Sequence, residues 1–233
     1  MLPEWLFWRV IRDEDVDQVL AADLGEPAQT SRLGRMRRRA IPWFWPRIDD
    51  AARWARSSSS FGWDPANYLR TEPRPLLSLL LRETDPSLSV LDLGCNCGSD
   101  LDILRREGFT QLLGVDAGRA ALAIFEERYP ETWSTATISH DLFQRYLRKF
   151  PSRGVDVIHS HGATIELVHP SFPIVKHLSR IADRSIFLQI EERGHTYPRN
   201  YISEFAWRGF RLVYADRFSK QLDGQSLLHF ERM

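Results

Sequence analysis

Ser89-Val90-Leu91-Asp92-Leu93-Gly94-Cys95-Asn96-Cys97-Gly98 is the stretch that decides the fold of this chain. Its first five residues form a short apolar run of strand type, and the glycine-punctuated loop behind them leads into a helical pattern from about 99 to 107. Gly94 and Gly98 have no β-carbon, so the backbone can turn tightly there and let a flat ligand approach to contact distance. A strand, a loop of this kind and a helix together make a nucleotide-type pocket. A dinucleotide fingerprint requires glycine at 94, 96 and 99, whereas this chain has Asn96 and Ser99, and no Gly-Lys-Ser/Thr follows for a phosphate loop. NAD and ATP are both disfavoured.

Outward from that loop, short β-rich runs alternate with helical segments. Strands are expected at 89–93, 111–116, 135–139, 155–159 and 185–190, with helices at 99–107, 118–129, 142–149 and 173–181. Such β-then-α units imply an α/β fold with a parallel sheet and helices on both faces. Two more strands, near 210–215 and 226–230, are separated by a stretch short enough for an antiparallel return. Ligands in such sheets bind at the carboxyl ends of the strands, where strand order reverses. Asp116 ends the second strand, where a carboxylate can accept both hydroxyls of an adenosine ribose. Asp141 follows the third, within reach of an adenine amino group.

The run from Val90 to Gly98, then Gly114-Val115-Asp116, then Asp141, resembles the class I S-adenosylmethionine-dependent methyltransferases over roughly residues 65–233. The resemblance implies a Rossmann-like seven-stranded, mostly parallel sheet with the last strand antiparallel. It implies S-adenosyl-L-methionine as cofactor and S-adenosyl-L-homocysteine as product. Gly94 to Gly98 would lie next to the methionine and ribose, Asp116 on the ribose, and Asp141 with Leu142 at the adenine. The full cofactor set carried over is Arg70, Asp92, Gly94, Cys95, Asn96, Gly98, Asp116, Ala117, Asp141, Leu142 and His159. Asn96 replaces the usual middle glycine. Within the family, Leu91 to Asn96 combined with His161 to Pro170 is similar to small methylases of bacterial sugar biosynthesis, such as the pseudaminic-acid-associated group.

Methyl transfer from a sulfonium is an in-line displacement, so the protein mainly aligns a nucleophile and excludes water. Where the acceptor is a hydroxyl or a protonated amine, a histidine base helps. His159-Ser160-His161 closes the fourth strand, with 159 and 161 pointing the same way. His161 is the first candidate for base or substrate contact, against the alternative of a histidine bonded only to backbone. Glu191, Glu192, His195 and Tyr197 follow the fifth strand, either as an acceptor-binding cluster or as a solvated loop. The catalytic set is therefore His161, His195 and Glu191. A zinc site from Cys95, Cys97, His159 and His161 suits thiolate and imidazole chemistry, but the ion would fill the cofactor's space, so no metal is expected. Before the first strand, Arg70, and after it Arg74, are candidates to pair with the methionine carboxylate.

The whole chain has 233 residues, 43% hydrophobic and 27% charged, enough for one mid-sized domain and an appendage. That divides it into a front part, 1–60, read as a helical and aromatic cap or lid, and a methyltransferase domain, 61–233. Lys+Arg and Asp+Glu are 31 each, which argues against nucleic acid as a partner. Arg32 to Arg47, with six Arg and no acid, keeps open an RNA or carrier-bound substrate as the alternative. A cofactor-binding partner protein without turnover is the non-enzyme alternative. Two cysteines two residues apart suit a reducing cytoplasm. No apolar run reaches the roughly 20 residues of a membrane span. The expected partner is a small-molecule substrate, and a homodimer is compatible.

Overall fold

The computed structural model describes residues 65–162, 165–168, 172–192 and 199–233. The expectations for residues 1–60, including the arginine-rich stretch, lie outside them. Seven strands are present: β1 (Val90–Leu93), β2 (Leu112–Asp116), β3 (Thr137–His140), β4 (Val155–His161), β5 (Ala182–Ile190), β6 (Phe210–Asp216) and β7 (Ser226–Arg232). Around them lie α1 (Pro75–Glu83), α2 (Ser99–Arg106), α3 (Arg119–Arg128), α4 (Pro130–Thr135), α5 (Phe143–Lys149), α6 (Ile174–Ile181) and α7 (Tyr201–Ala206). The sheet order is β3-β2-β1-β4-β5-β7-β6. β1 to β5 pair in parallel, and β7 runs antiparallel between β5 and β6. This is the Rossmann-like sheet that the sequence implies.

Side chains alternate across a strand, so each central strand feeds two cores. Leu91, Leu93, Ile158, Ile186 and Leu188 enter the core under α5, α6 and α7. Val90, Val157 and Phe187 enter the core under α1, α2 and α3. Asp92 and His159, two residues beyond Val90 and Val157, project to that second side and face each other in register.

Three helices escape the sequence reading. α1 begins with Pro75 at its first turn and buries Leu76, Leu77, Leu79 and Leu80, a leucine-dense run too short for a clear period. α4 starts at Pro130 directly behind α3, so it reads as the end of that helix. α7 is capped by the Asn200 side chain, which accepts from the Ser203 N–H at 3.1 Å. β5 also starts three residues earlier than expected, because Asp183 and Arg184 break its apolar run. They pair with Arg153 at 3.2 Å and with Asp156 at 3.3 Å. No helix among the described residues is long and apolar enough to cross a membrane.

Candidate active site

Strand order reverses between β1 and β4, and the loop after β1 lies at that point. Gly94, Asn96 and Gly98 all have positive φ, at 90°, 48° and 76°. A β-carbon on Gly98 would sit 2.2 Å from the Phe125 ring, so this turn needs glycine for space as well as for conformation. Asn96 tolerates the left-handed region because its side-chain oxygen accepts from the Cys97 N–H at 2.7 Å. Cys95 and Cys97 are buried, and burial raises both thiols above their usual pKa. Cys95 therefore offers only its backbone to the crevice.

Asp116 ties the loop to β2. Its carboxylate accepts from the Asn96 N–H at 2.9 Å and the Gly118 N–H at 2.7 Å, one on each oxygen. Each oxygen keeps a further lone pair. Burial raises its pKa against the pull of those two bonds. Next to it, Ala117 accepts from the His140 ring at 3.0 Å. Asp141 accepts from the Leu142 N–H and from Arg145 Nε, both at 2.7 Å. Burial pushes its pKa up and Arg145 opposes that. Leu142 has its side chain in the core and its N–H committed to Asp141, so its part here is packing.

His159, carried over with the cofactor set, is fully buried. Nδ1 lies 3.1 Å from Asp92 Oδ1, and Nε2 faces Asp100 Oδ2 at 3.7 Å. Burial pulls its pKa down, but the two carboxylates outweigh that and leave it raised. Asp100 is raised by its own burial, with His159 opposing. Asp92, Asp100 and His159 are also the one group among the described residues whose spacing suits a metal ion. It differs from the thiolate and imidazole set considered from sequence, and Asp92 already holds one imidazole nitrogen. The sequence reading missed Asp100, because an acid in the first turn of a helix is explained well enough by the helix dipole.

The segment before α1 crosses over this loop. Ser99 Oγ donates to the Tyr68 carbonyl at 3.1 Å and accepts from the Arg70 N–H at 3.2 Å. Tyr129 Oη donates to the Arg70 carbonyl at 3.2 Å. Arg70 Nε returns to the Tyr68 carbonyl at 3.1 Å, leaving its charge close enough to act on Asp100, Cys97 and His161. Arg74, four residues on, meets the His161 ring: Nη1 is 3.1 Å from Nε2 and also contacts Nδ1. Burial, with the charges of His159 and Arg70, pushes His161 down to about 3. It is a neutral imidazole at physiological pH.

The residues after β5 divide. Glu192 accepts from Arg217 through both oxygens, at 2.9 and 2.8 Å, and from Ser226 Oγ at 2.6 Å, so it fastens the β6–β7 connection. The Glu191 N–H donates to buried Glu166 at 2.7 Å, and the Glu191 side chain is half-exposed. His195 and Tyr197 lie outside the described residues. Of the three catalytic candidates, the structure brings His161 to the strand-end crevice and Glu191 to the end of β5.

A family model described as a methyltransferase domain matches residues 66–184, about half of the chain. The chain belongs to the methyltransferase domain family. No curated protein matches it significantly. Solved structures similar to this methyltransferase-family chain include magnesium protoporphyrin IX methyltransferase from Synechocystis PCC 6803. With bound SAM that protein matches at TM-score 0.62 and 16% identity, over 79% of this chain and 98% of that chain. With bound SAH it matches at 0.63 and 15%, over 79% and 100%. An S-adenosylmethionine dependent methyltransferase from Mesorhizobium loti matches at 0.53 and 17%, over 68% and 96%. At these identities the likeness is one of fold.

Proposed function

We propose that this methyltransferase-family chain transfers a methyl group from S-adenosylmethionine to an oxygen or nitrogen of a small polar metabolite. The observation that carries the cofactor is the charge of the crevice. Asp100, Asp116 and Asp141 rim the loop after β1 and the ends of β2 and β3, with Asp92 buried beneath it, against the imidazole of His159 and the guanidinium groups of Arg145 and Arg70. Such a rim repels a pyrophosphate and attracts a sulfonium and an ammonium. When bound, S-adenosylmethionine supplies an electrophilic methyl carbon on a positively charged sulfur.

The chain's own residues then have separable tasks. Asp116 accepts the ribose hydroxyls on its remaining lone pairs, and Asp141 accepts from the adenine amino group. Arg70, anchored beside Ser99, meets the methionine carboxylate. The segment of 68–70, stapled to Ser99 and Tyr129, shields the reacting carbon from water. An acceptor lone pair attacks the methyl carbon, the carbon–sulfur bond breaks, and its electron pair stays on sulfur. His161, unprotonated, accepts a hydrogen bond from the acceptor and orients its lone pair, and the released proton passes to solvent.

A thermal-shift titration with S-adenosylhomocysteine tests this. At a ligand concentration about 100 times Kd, the wild type should gain about 2.7 kcal/mol, and Asp116→Ala should gain little. Equal shifts would remove Asp116 from the cofactor site. Incubating a metabolite extract with methyl-labelled cofactor should then yield labelled product. Cofactor binding without any labelled product would favour a partner protein without turnover.

A further inference from the structure

The described arginines differ in what holds their charge: Arg70, Arg180, Arg199 and Arg232 bond backbone carbonyls. Arg82, Arg105, Arg106, Arg145, Arg153, Arg184, Arg211 and Arg217 each lie within ion-pair distance of a carboxylate. Arg74 does not, among the described residues. Arg74 is half-buried, and its guanidinium's partners are the neutral ring of His161 and the face of Tyr68, 5.9 Å from the ring centroid. A partly desolvated cation held only by uncharged groups is under-compensated, and a carboxylate or phosphate makes a stronger, charge-assisted bond to it than an imidazole does.

The position of Arg74 says which ligand it serves. Arg70 is fixed to Ser99 at the start of α2, on the β1 side of the switch point, where the cofactor's methionine end belongs. Arg74 reaches the end of β4, one strand further. There His161 is in register with Gln189 of β5. Gln189 is buried, its amide donates to Gln225 at 2.7 Å, and its side chain lies within hydrogen-bond reach of the His161 ring. This half of the crevice holds a cation, a neutral imidazole and a buried amide; Glu192 is committed to Arg217 and Ser226, Glu166 accepts from the Glu191 N–H, and the Glu191 carboxylate is half-exposed.

We propose that the methyl acceptor carries an anionic group, a carboxylate or a phosphate, and that Arg74 binds it beside His161 and Gln189. This rests on the methyl-transfer reading above. Without acceptor, Arg74 rests on the imidazole. With acceptor, the guanidinium turns to the anion and frees the imidazole nitrogen for the acceptor's hydrogen bond. Arg74 is thus both the specificity group for acidic acceptors and the group that uncovers His161.

The test uses the full chain saturated with S-adenosylhomocysteine and titrated with acetate, with inorganic phosphate and with uncharged acetamide, read by the ring nitrogen NMR shifts of His161. Acetate or phosphate should move those signals at concentrations about tenfold or more below any effect of acetamide. Whichever anion acts at the lower concentration identifies the group. Arg74→Gln should abolish the response while leaving S-adenosylhomocysteine affinity within about twofold, and Arg74→Lys should keep part of it. Four results overturn the proposal: no response to either anion, an equal response to acetamide, a response unchanged in Arg74→Gln (an adventitious ion only), or a loss of S-adenosylhomocysteine affinity in Arg74→Gln and Arg74→Lys, which would assign Arg74 to the cofactor. Failure of the wild type to bind S-adenosylhomocysteine at all would instead sink the methyl-transfer reading.

Discussion

His159 and His161 stand two residues apart on β4 and face the same side of the sheet, yet their surroundings drive them to opposite charge states. His159 is clasped by Asp92 and Asp100 beneath the glycine loop, and its pKa is raised. His161 meets Arg74 and is pushed down to about 3 by its burial, with the charges of His159 and Arg70 adding to it. Burial lowers both and is the largest single influence on each; it sets the direction for His161, and at His159 two carboxylates reverse it. The crevice is therefore electrically divided, acidic under the loop where a cation would bind and basic at the end of β4.

Removing His159 should have the largest effect on stability. His159→Leu leaves Asp92 and Asp100 facing each other without a cation, and an unfolding free energy lower by about 4 kcal/mol is expected, measured by urea denaturation. A variant as stable as wild type would mean that the two carboxylates do not depend on the imidazole. Gly98→Ala breaks the same half sterically, since the new methyl meets the Phe125 ring in a left-handed backbone. It should cost about 3 kcal/mol, and a Tm within a degree of wild type would contradict the loop geometry.

The histidines should also separate by pH. A group whose folded pKa is raised stabilises fully below its unfolded value, about 6.5, and loses that contribution as pH rises through the folded value. His159→Gln should flatten this alkaline-side loss. His161 is depressed, so protons bind the unfolded chain preferentially below about 6.5. Stability falls there as pH drops toward 3, and His161→Gln should flatten that acid-side loss. The same slope in both variants would erase the division.

On the cofactor side, Arg70→Gln should weaken S-adenosylhomocysteine binding about tenfold by calorimetry, an effect that Arg74→Gln does not share. The smallest change is expected far from the crevice. Arg211 and Glu231 pair at 2.8 Å, but Arg211 is 65% exposed, so Arg211→Ala should cost under about 1 kcal/mol.

The half of the site that the sequence reveals is the half built from local signals. Gly94, Gly98 and Asp116 follow from a strand, a turn and the next strand end, and all lie where the parallel order puts them. What stayed hidden depends on contacts between residues far apart along the chain. Asp100 meets His159 and Arg74 meets His161 only because the sheet folds β4 beside β1. No period or motif marks an acid at a helix start as part of a site, and nothing local pairs Arg74, a sequence candidate for the methionine carboxylate, with His161. The burial of His159 is hidden for the same reason: alternation gives its side of the sheet and says nothing of the loop that covers it. α1 and α4 were lost because a leucine run and a proline junction carry no clear helical period.

The central claim, that the loop after β1 holds an adenosyl sulfonium and no phosphate-bearing nucleotide, is tested most directly by isothermal titration of the wild type with S-adenosylmethionine, ATP and NAD in turn. One saturable site for S-adenosylmethionine and no heat of binding for the other two is the expected result. Binding of ATP or NAD with none of S-adenosylmethionine would contradict it.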